Sequence, residues 1–209
     1  MKRTAPAKRM IDILGSVALL VLLSPLLTVI ALAILVTSGR PVFFRQVRPG
    51  LHGQPFTLVK FRTMREPRAG EHAWYTDDVR STRLGRFLRR TSLDELPELA
   101  LVVTGRMSLV GPRPLVMEYL PRYSPRHARR HEVRPGITGL AQVHGRRALT
   151  FGQRLDLDVH YVDNHSVRMD LGILLRTLAQ PFQRGEIVGQ RPEDADDVGL
   201  VPPVLERAR

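Results

Sequence analysis

An apolar run over residues 10–36, broken near its middle by Ser24-Pro25 and preceded by Lys8-Arg9, limits what this chain can fold into. Apart from Asp12 and a few small polar residues, nothing in it is well solvated by water. As one straight helix it would reach about 40 Å, more than the roughly 30 Å hydrocarbon core of a bilayer needs. Pro25 removes a helix hydrogen bond and crowds the preceding turn, so a kink is expected there. Each half, at about 20 Å, is too short to cross alone. Lys2, Arg3, Lys8 and Arg9 flank one end, and Arg40, Arg45 and Arg48 follow the other. The positive-inside tendency puts both flanks in the cytoplasm, which a bent, re-entrant helix satisfies. A straight single span is the main alternative. A cleaved signal peptide ending at Ala31-Leu32-Ala33 fits less well, because apolar residues continue to Val36 and the run is long for an h-region.

The rest of the 209 residues can bury one core. The expected class is α+β and helix-rich: a re-entrant membrane helix with its basic flank over residues 1–40, then one compact cytoplasmic domain over 41–189. Residues 190–209, dense in Pro, Asp and Glu, read as a loosely held tail. Two strand-like runs, 42–47 and 56–62, flank the turn residues Pro49-Gly50-Leu51-His52-Gly53 and predict a small β-hairpin. Alternation on the second run puts Lys60 and Arg62 on one face. Residues 66–78 read as an irregular polar loop. A helix is expected from Ser92 towards Thr104, stopped by Gly105. Another follows where Met169, Ile173, Leu174, Leu178 and Phe182 recur at helical spacing, with Asp170 near its start.

Charge narrows the partners. A formal net charge of +12 and a pI near 11.2 call for a polyanion: nucleic acid, anionic lipid headgroups or a phosphorylated substrate. Nucleic acid is disfavoured, since 6% of residues are aromatic and no RNP, helix-turn-helix or zinc-finger pattern occurs. With no cysteine, disulfides and thiolate metal sites are excluded, and the seven histidines form no His-x-x-x-His or His-x-His pair to hold zinc.

Ser92-Leu93-Asp94-Glu95-Leu96 follows Arg86, Arg89 and Arg90. Ser-x-x-Glu spacing fits a capping box, which leaves Asp94 unexplained. Alternatively the two carboxylates are a nucleophile or metal-binding pair, kept ionised by the arginines and a helix N-terminus that also suits phosphate. Val110-Gly111-Pro112-Arg113-Pro114 sets an arginine between two prolines, so a stiff backbone presents its fork to phosphate oxygens, or leaves it solvated on a rigid turn. Arg134-Pro135-Gly136-Ile137-Thr138-Gly139 offers a tight turn whose N–H groups could line an anion site. Lys60 and Arg62 could add positive charge, and Asp156, Asp158, Asp163 or Asp170 could join Glu95 at a hard cation.

Taken in order, these stretches resemble the bacterial sugar transferases, the polyprenyl-phosphate glycosyl-1-phosphate or monotopic phosphoglycosyl transferases. The matching residues are Lys8-Arg9 with the broken apolar run, Phe43-Phe44-Arg45-Gln46-Val47-Arg48-Pro49-Gly50, Lys60-Phe61-Arg62-Thr63-Met64 and Thr82-Arg83-Leu84-Gly85-Arg86. Thr91 to Pro97, Met107 to Pro114, Arg134 to Gln142, Asp158-Val159-His160-Tyr161-Val162 and Asp170-Leu171 continue the series over roughly residues 8–180. The resemblance implies transfer of a sugar-1-phosphate from a UDP-sugar to polyprenyl phosphate at the cytoplasmic face of the bacterial inner membrane, releasing UMP. It makes Asp94 the nucleophile of a covalent phosphosugar–enzyme, Glu95 a ligand of Mg²⁺, Arg113 and Arg89 phosphate contacts, and Ser24-Pro25 the break in the re-entrant helix.

The chain departs from the family pattern at Leu101, Arg106, Arg147, His160 and His165, none of which has a catalytic role in this reading. It resembles the family's minimal form. A rival keeps the transfer but makes Asp94 and Glu95 metal ligands only, and a remoter one is a membrane-anchored module that binds anionic lipid or nucleic acid.

Overall fold

The computed structural model describes residues 6–66, 77–145, 149–179 and 197–199. The apolar run becomes helix α1, Pro6–Ser38, unbroken although Pro25 lies inside it. Without an N–H, Pro25 cannot bond the carbonyl of Val21, one turn earlier. The Ser24 hydroxyl donates to that carbonyl at 2.8 Å, so the Ser-Pro pair repairs locally the hydrogen bond it removes.

One face of α1 lies against the rest of the chain. Near its start Lys8, Asp12 and Ser16 are buried; near its end Ile30 and Ile34 pack with Phe61 and Leu88. Leu14, Val17, Val21, Leu22, Val29 and Val36 on other faces are exposed, so the helix is apolar where water or lipid meets it. It is long and apolar enough to cross a membrane.

The hairpin forms as expected, with slightly different ends: β1 (Phe43–Pro49) pairs antiparallel with β2 (Pro55–Phe61), Arg45 opposite Val59. A left-handed His52 and Gly53 turn the chain between them. Helix α2 (Arg83–Thr91), N-capped by the Thr82 side chain, packs Leu88 beneath α1.

The helix expected to start at Ser92 is instead a 3₁₀ segment, Leu93–Glu98, followed by the short α3, Leu99–Val103. Ser92 adopts a left-handed conformation (φ 57°) and its side chain caps nothing, so the Ser92–Glu95 capping box does not form. A working capping box sits at Thr150–Gln153, opening α4 (Phe151–Asn164). Gly105 ends its segment with φ 82°, as a C-terminal glycine should.

β3 (Ser108–Val110) and β4 (Gly136–Thr138) form a second, parallel pair that short-range periodicity does not reveal. Gly111 and Gly136 approach so closely that a Cβ on Gly136 would lie 2.1 Å from the Gly111 nitrogen. One N–H of the Arg134–Gly139 turn is thereby taken, since Gly136 donates to the Pro112 carbonyl at 3.0 Å. Helix α5 (Val167–Ala179) follows, with Asp170 in its first turn; Phe182 lies outside the described residues. So does most of the 66–78 loop and of the expected tail, but Asp197 accepts from Thr150 Oγ1 at 2.6 Å and the Gly152 N–H at 2.7 Å, holding the start of α4.

The main core joins Leu99, Val102, Met107, Val110, Tyr161, Val162 and Ile173 from α3, β3, α4 and α5. A buried polar knot fastens α1 to it. Lys8 Nζ donates to Asp170 Oδ2 at 2.7 Å and to the Val110 carbonyl at 3.1 Å; Tyr161 donates to Asp170 Oδ1 and to the same carbonyl. Asp12 accepts from the Ser108 hydroxyl and the Leu109 N–H, while Arg9 donates to the carbonyls of Val102 and Val103. Removing one member of a buried ion pair leaves the other charge uncompensated. Lys8→Ala should therefore destabilise the protein by about 3 kcal/mol or more, read as a fall in thermal midpoint in detergent, with Lys8→Arg losing less.

Candidate active site

The site forms where β2 meets the 3₁₀ segment. Strand β2 presents Lys60, and the left-handed Ser92 breaks the chain away from α2 so that Asp94 turns inward, 5% exposed. In a 3₁₀ helix residues i and i+3 eclipse, which sets Glu98, 4% exposed, behind Glu95. Arg113 reaches across from the Pro112–Pro114 turn, and its Nη2 donates to Glu95 Oε1 at 2.5 Å with 48% of its side chain exposed. Charge-assisted contacts of this kind are strong and short.

The electrostatics differ from those expected. Arg86 donates to the Ser81 carbonyl and Arg89 to the Ser81 hydroxyl; the cations acting on Asp94 are Lys60 and Arg113. Burial, with Glu95 beside it, pushes the Asp94 carboxyl above the usual carboxylate range despite those cations. Burial and then Glu95 push Glu98 up to about 8. Lys60 is lowered, chiefly by burial, and sits 5.5 Å from the centre of the Phe44 ring. Arg113 is held firmly charged by Glu95. Three carboxyl groups are thus crowded beside one lysine and one arginine, and the proton that Glu98 keeps relieves the crowding.

Lys60, Asp94, Glu95 and Arg113 are brought together as the motifs suggested. Arg62 is not. The ladder ends at Phe61, so strand alternation no longer governs Arg62, and its guanidinium binds the carbonyls of Ser38, Gly39 and Arg40 at the electronegative end of α1. The four late aspartates are engaged elsewhere: Asp170 with Lys8, Asp158 with Arg130, Asp156 with Arg126 and His127, and Asp163 with Arg129. Ser24 and Pro25 are exposed on α1, between its two contact patches.

Glu98 and Arg48 were missed. The one signal for Glu98 is its three-residue spacing from Glu95, which reads equally well as a solvated charge. Arg48, on β1, bonds Gln46 and leaves its Nε buried without a partner among the described residues, within electrostatic reach of Arg113 and Glu98.

The sequence matches the bacterial sugar transferase family over residues 3–184. The chain is a bacterial sugar transferase. It is 50% identical over 171 residues to the uncharacterized sugar transferase EpsL of Bacillus subtilis (strain 168), covering 82% of this chain and 85% of that one. Identity is 45% over 181 residues to a UDP-glucose:undecaprenyl-phosphate glucose-1-phosphate transferase of Caulobacter vibrioides, covering 82% and 68%. It is 39% over 197 residues to the exopolysaccharide production protein PSS of Rhizobium leguminosarum bv. phaseoli, covering 86% and 96%. Family membership makes the protein a transferase, and with α1 it points to membrane association.

Among the described residues no three His, Asp or Glu side chains converge as a ready-made metal site. The surplus of carboxylate oxygen still suits a hard cation shared with a phosphate ligand, which is how Mg²⁺ is commonly held. The raised Glu98 also sets a pH dependence. Folded protein keeps that proton up to about 8 and unfolded chain releases it near 4.5, so stability falls as pH rises between those values. Without divalent ions, Glu98→Gln should raise the thermal midpoint at pH 8.5 and leave it unchanged at pH 4.

Proposed function

We propose that this sugar transferase moves a sugar-1-phosphate from a UDP-sugar to a polyprenyl phosphate, undecaprenyl phosphate being the expected acceptor, through a covalent intermediate on Asp94. A buried carboxylate between Lys60 and the Arg113–Glu95 pair is the observation that carries this reading. An Asp94 oxygen attacks the sugar-bearing phosphorus, the bond from that phosphorus to the oxygen of the UMP phosphate breaks, and UMP leaves with the electron pair. The lipid phosphate then attacks the same phosphorus and expels the Asp94 carboxylate. Splitting the transfer lets a soluble donor and a lipid acceptor use one site in turn.

Lys60 and Arg113 neutralise the transferring group, and Arg113 keeps Glu95 turned to the side of Asp94. Glu95, with Asp94, would hold Mg²⁺. The ion would supply charge neutralisation between nucleophile and diphosphate.

The packing of α1 supports a location. Both its ends pack on the same domain, so a re-entrant, monotopic placement keeps that domain on one side of the inner membrane, the cytoplasmic face where UDP-sugars are found. A straight span would drag the domain into the hydrocarbon. The relatives' names support UDP-glucose as the first donor to try and exopolysaccharide assembly as the setting.

The purified protein in detergent, given Mg²⁺, polyprenyl phosphate and UDP-glucose, should release UMP. Asp94→Asn should reduce this by about 10³-fold or more, and donor labelled in its sugar-bearing phosphate should label the wild-type protein alone. Turnover with no labelled protein would leave Asp94 and Glu95 as metal ligands in a direct transfer; undiminished turnover in Asp94→Asn would sink the assignment.

A further inference from the structure

Arg130 and Asp158 form a buried ion pair outside the site described above, 2% and 4% exposed. Arg130 Nε and Nη2 both donate to Asp158 Oδ2, at 3.0 and 2.7 Å. A buried pair of this kind is a poor way to gain stability, because desolvating both charges offsets most of their attraction. Its placement suggests another use. The same Nη2 donates to the backbone carbonyl of Arg113 at 2.7 Å, and Nη1 donates to the Tyr123 hydroxyl at 3.3 Å.

Arg113 is therefore held at its main chain by one buried arginine while its own guanidinium holds Glu95. The residues before it are also fixed: the Gly111 N–H donates to the Thr138 carbonyl at 2.9 Å, and the Pro112 carbonyl accepts from Gly136 at 3.0 Å. A half-exposed arginine otherwise spreads over many rotamers, and ordering it costs entropy. Anchoring its carbonyl leaves only the side-chain torsions free, so the fork stays within reach of Glu95 and the transferring phosphate.

We propose that Arg130, oriented by Asp158, is a positioning residue that sets Arg113 against Glu95, an inference that rests on the transfer reaction proposed above. It links α4, which carries Asp158 and does not line the pocket, to the reacting centre. Lysine keeps the charge beside Asp158 but lacks the planar fork that serves carboxylate and carbonyl together.

Arg130→Lys should lower kcat about tenfold or more with KM changed little, since small misplacements of a positioning group are costly. In an Arg113→Ala background the same change should cost less than about twofold, because the carbonyl is still bonded but the guanidinium that it positions is gone. An equal fold-loss in both backgrounds, or no loss in either, overturns the proposal. A second readout needs no turnover: in ¹⁵N-arginine-labelled protein the Arg113 Nε–H resonance, assigned by its loss in Arg113→Lys, should shift in Arg130→Lys as it does in Glu95→Gln. An unmoved resonance overturns the proposal. Wild-type protein inactive with every UDP-sugar would defeat the transfer reading, and the resonance would then decide the positioning role alone. Asp158→Asn, nearly isosteric, serves for both readouts if Arg130→Lys does not fold.

Discussion

Lys8 is the hinge on which the structure turns. It lies in the first turn of α1, yet its ammonium is buried between the Val110 carbonyl and Asp170, 162 residues away in the chain. That contact brings the first turns of the membrane helix, the β3–Gly111 strand and the start of α5 to one point, and Tyr161 closes it by bonding the same two acceptors. A charge buried this deeply persists only when its partners are complete. The knot therefore fixes how α1 meets the domain, and with it how far the pocket stands from any lipid the helix enters. Arg62 performs the matching task at the far end, tying the last carbonyls of α1 to the end of β2, two residues beyond Lys60.

The site between these anchors is built on crowded carboxyl groups. Three carboxyl groups share it with Lys60 and Arg113, and the most buried of them, Glu98, holds its proton to about 8. In an empty site such crowding costs stability. In the reaction proposed above a metal-bound diphosphate would offset the crowded carboxylates, while the buried Asp94 would offer a weakly hydrated oxygen for attack.

Much of this was legible in the sequence, because ordered motifs bring Lys60, Asp94, Glu95 and Arg113 together whatever their local structure. The errors have local causes. Ser92–Glu95 and Thr150–Gln153 carry the same capping pattern, and only the backbone decides between them: Ser92 is left-handed whereas Thr150 is extended. Arg62 was misplaced by one residue of strand, since alternation holds only while the ladder lasts. The parallel β3–β4 pair has three residues a side, too few for any periodicity, and it pairs Ser108 with Gly136. Asp158 and Asp170 read alike as spare carboxylates; what takes each of them away from Glu95 is a buried ion pair elsewhere in the fold, with Arg130 for one and Lys8 for the other.

Asp94 is held from both sides by groups that are themselves held. Lys60 rests on a hairpin whose β2 continues into Arg62 and so into α1. Arg113 rests on a glycine-tight turn whose carbonyls at Val110, Pro112 and Arg113 are each bonded, to Lys8 and Tyr161, to Gly136, and to Arg130. The residue that touches the membrane helix and the residue that touches Glu95 are thus three positions apart on one stiff segment. A rigid link of that length transmits the placement of α1 to the guanidinium with little loss. In the transfer proposed above, such a fixed site would let a lipid-borne phosphate and a soluble donor meet the same oxygen of Asp94 in turn.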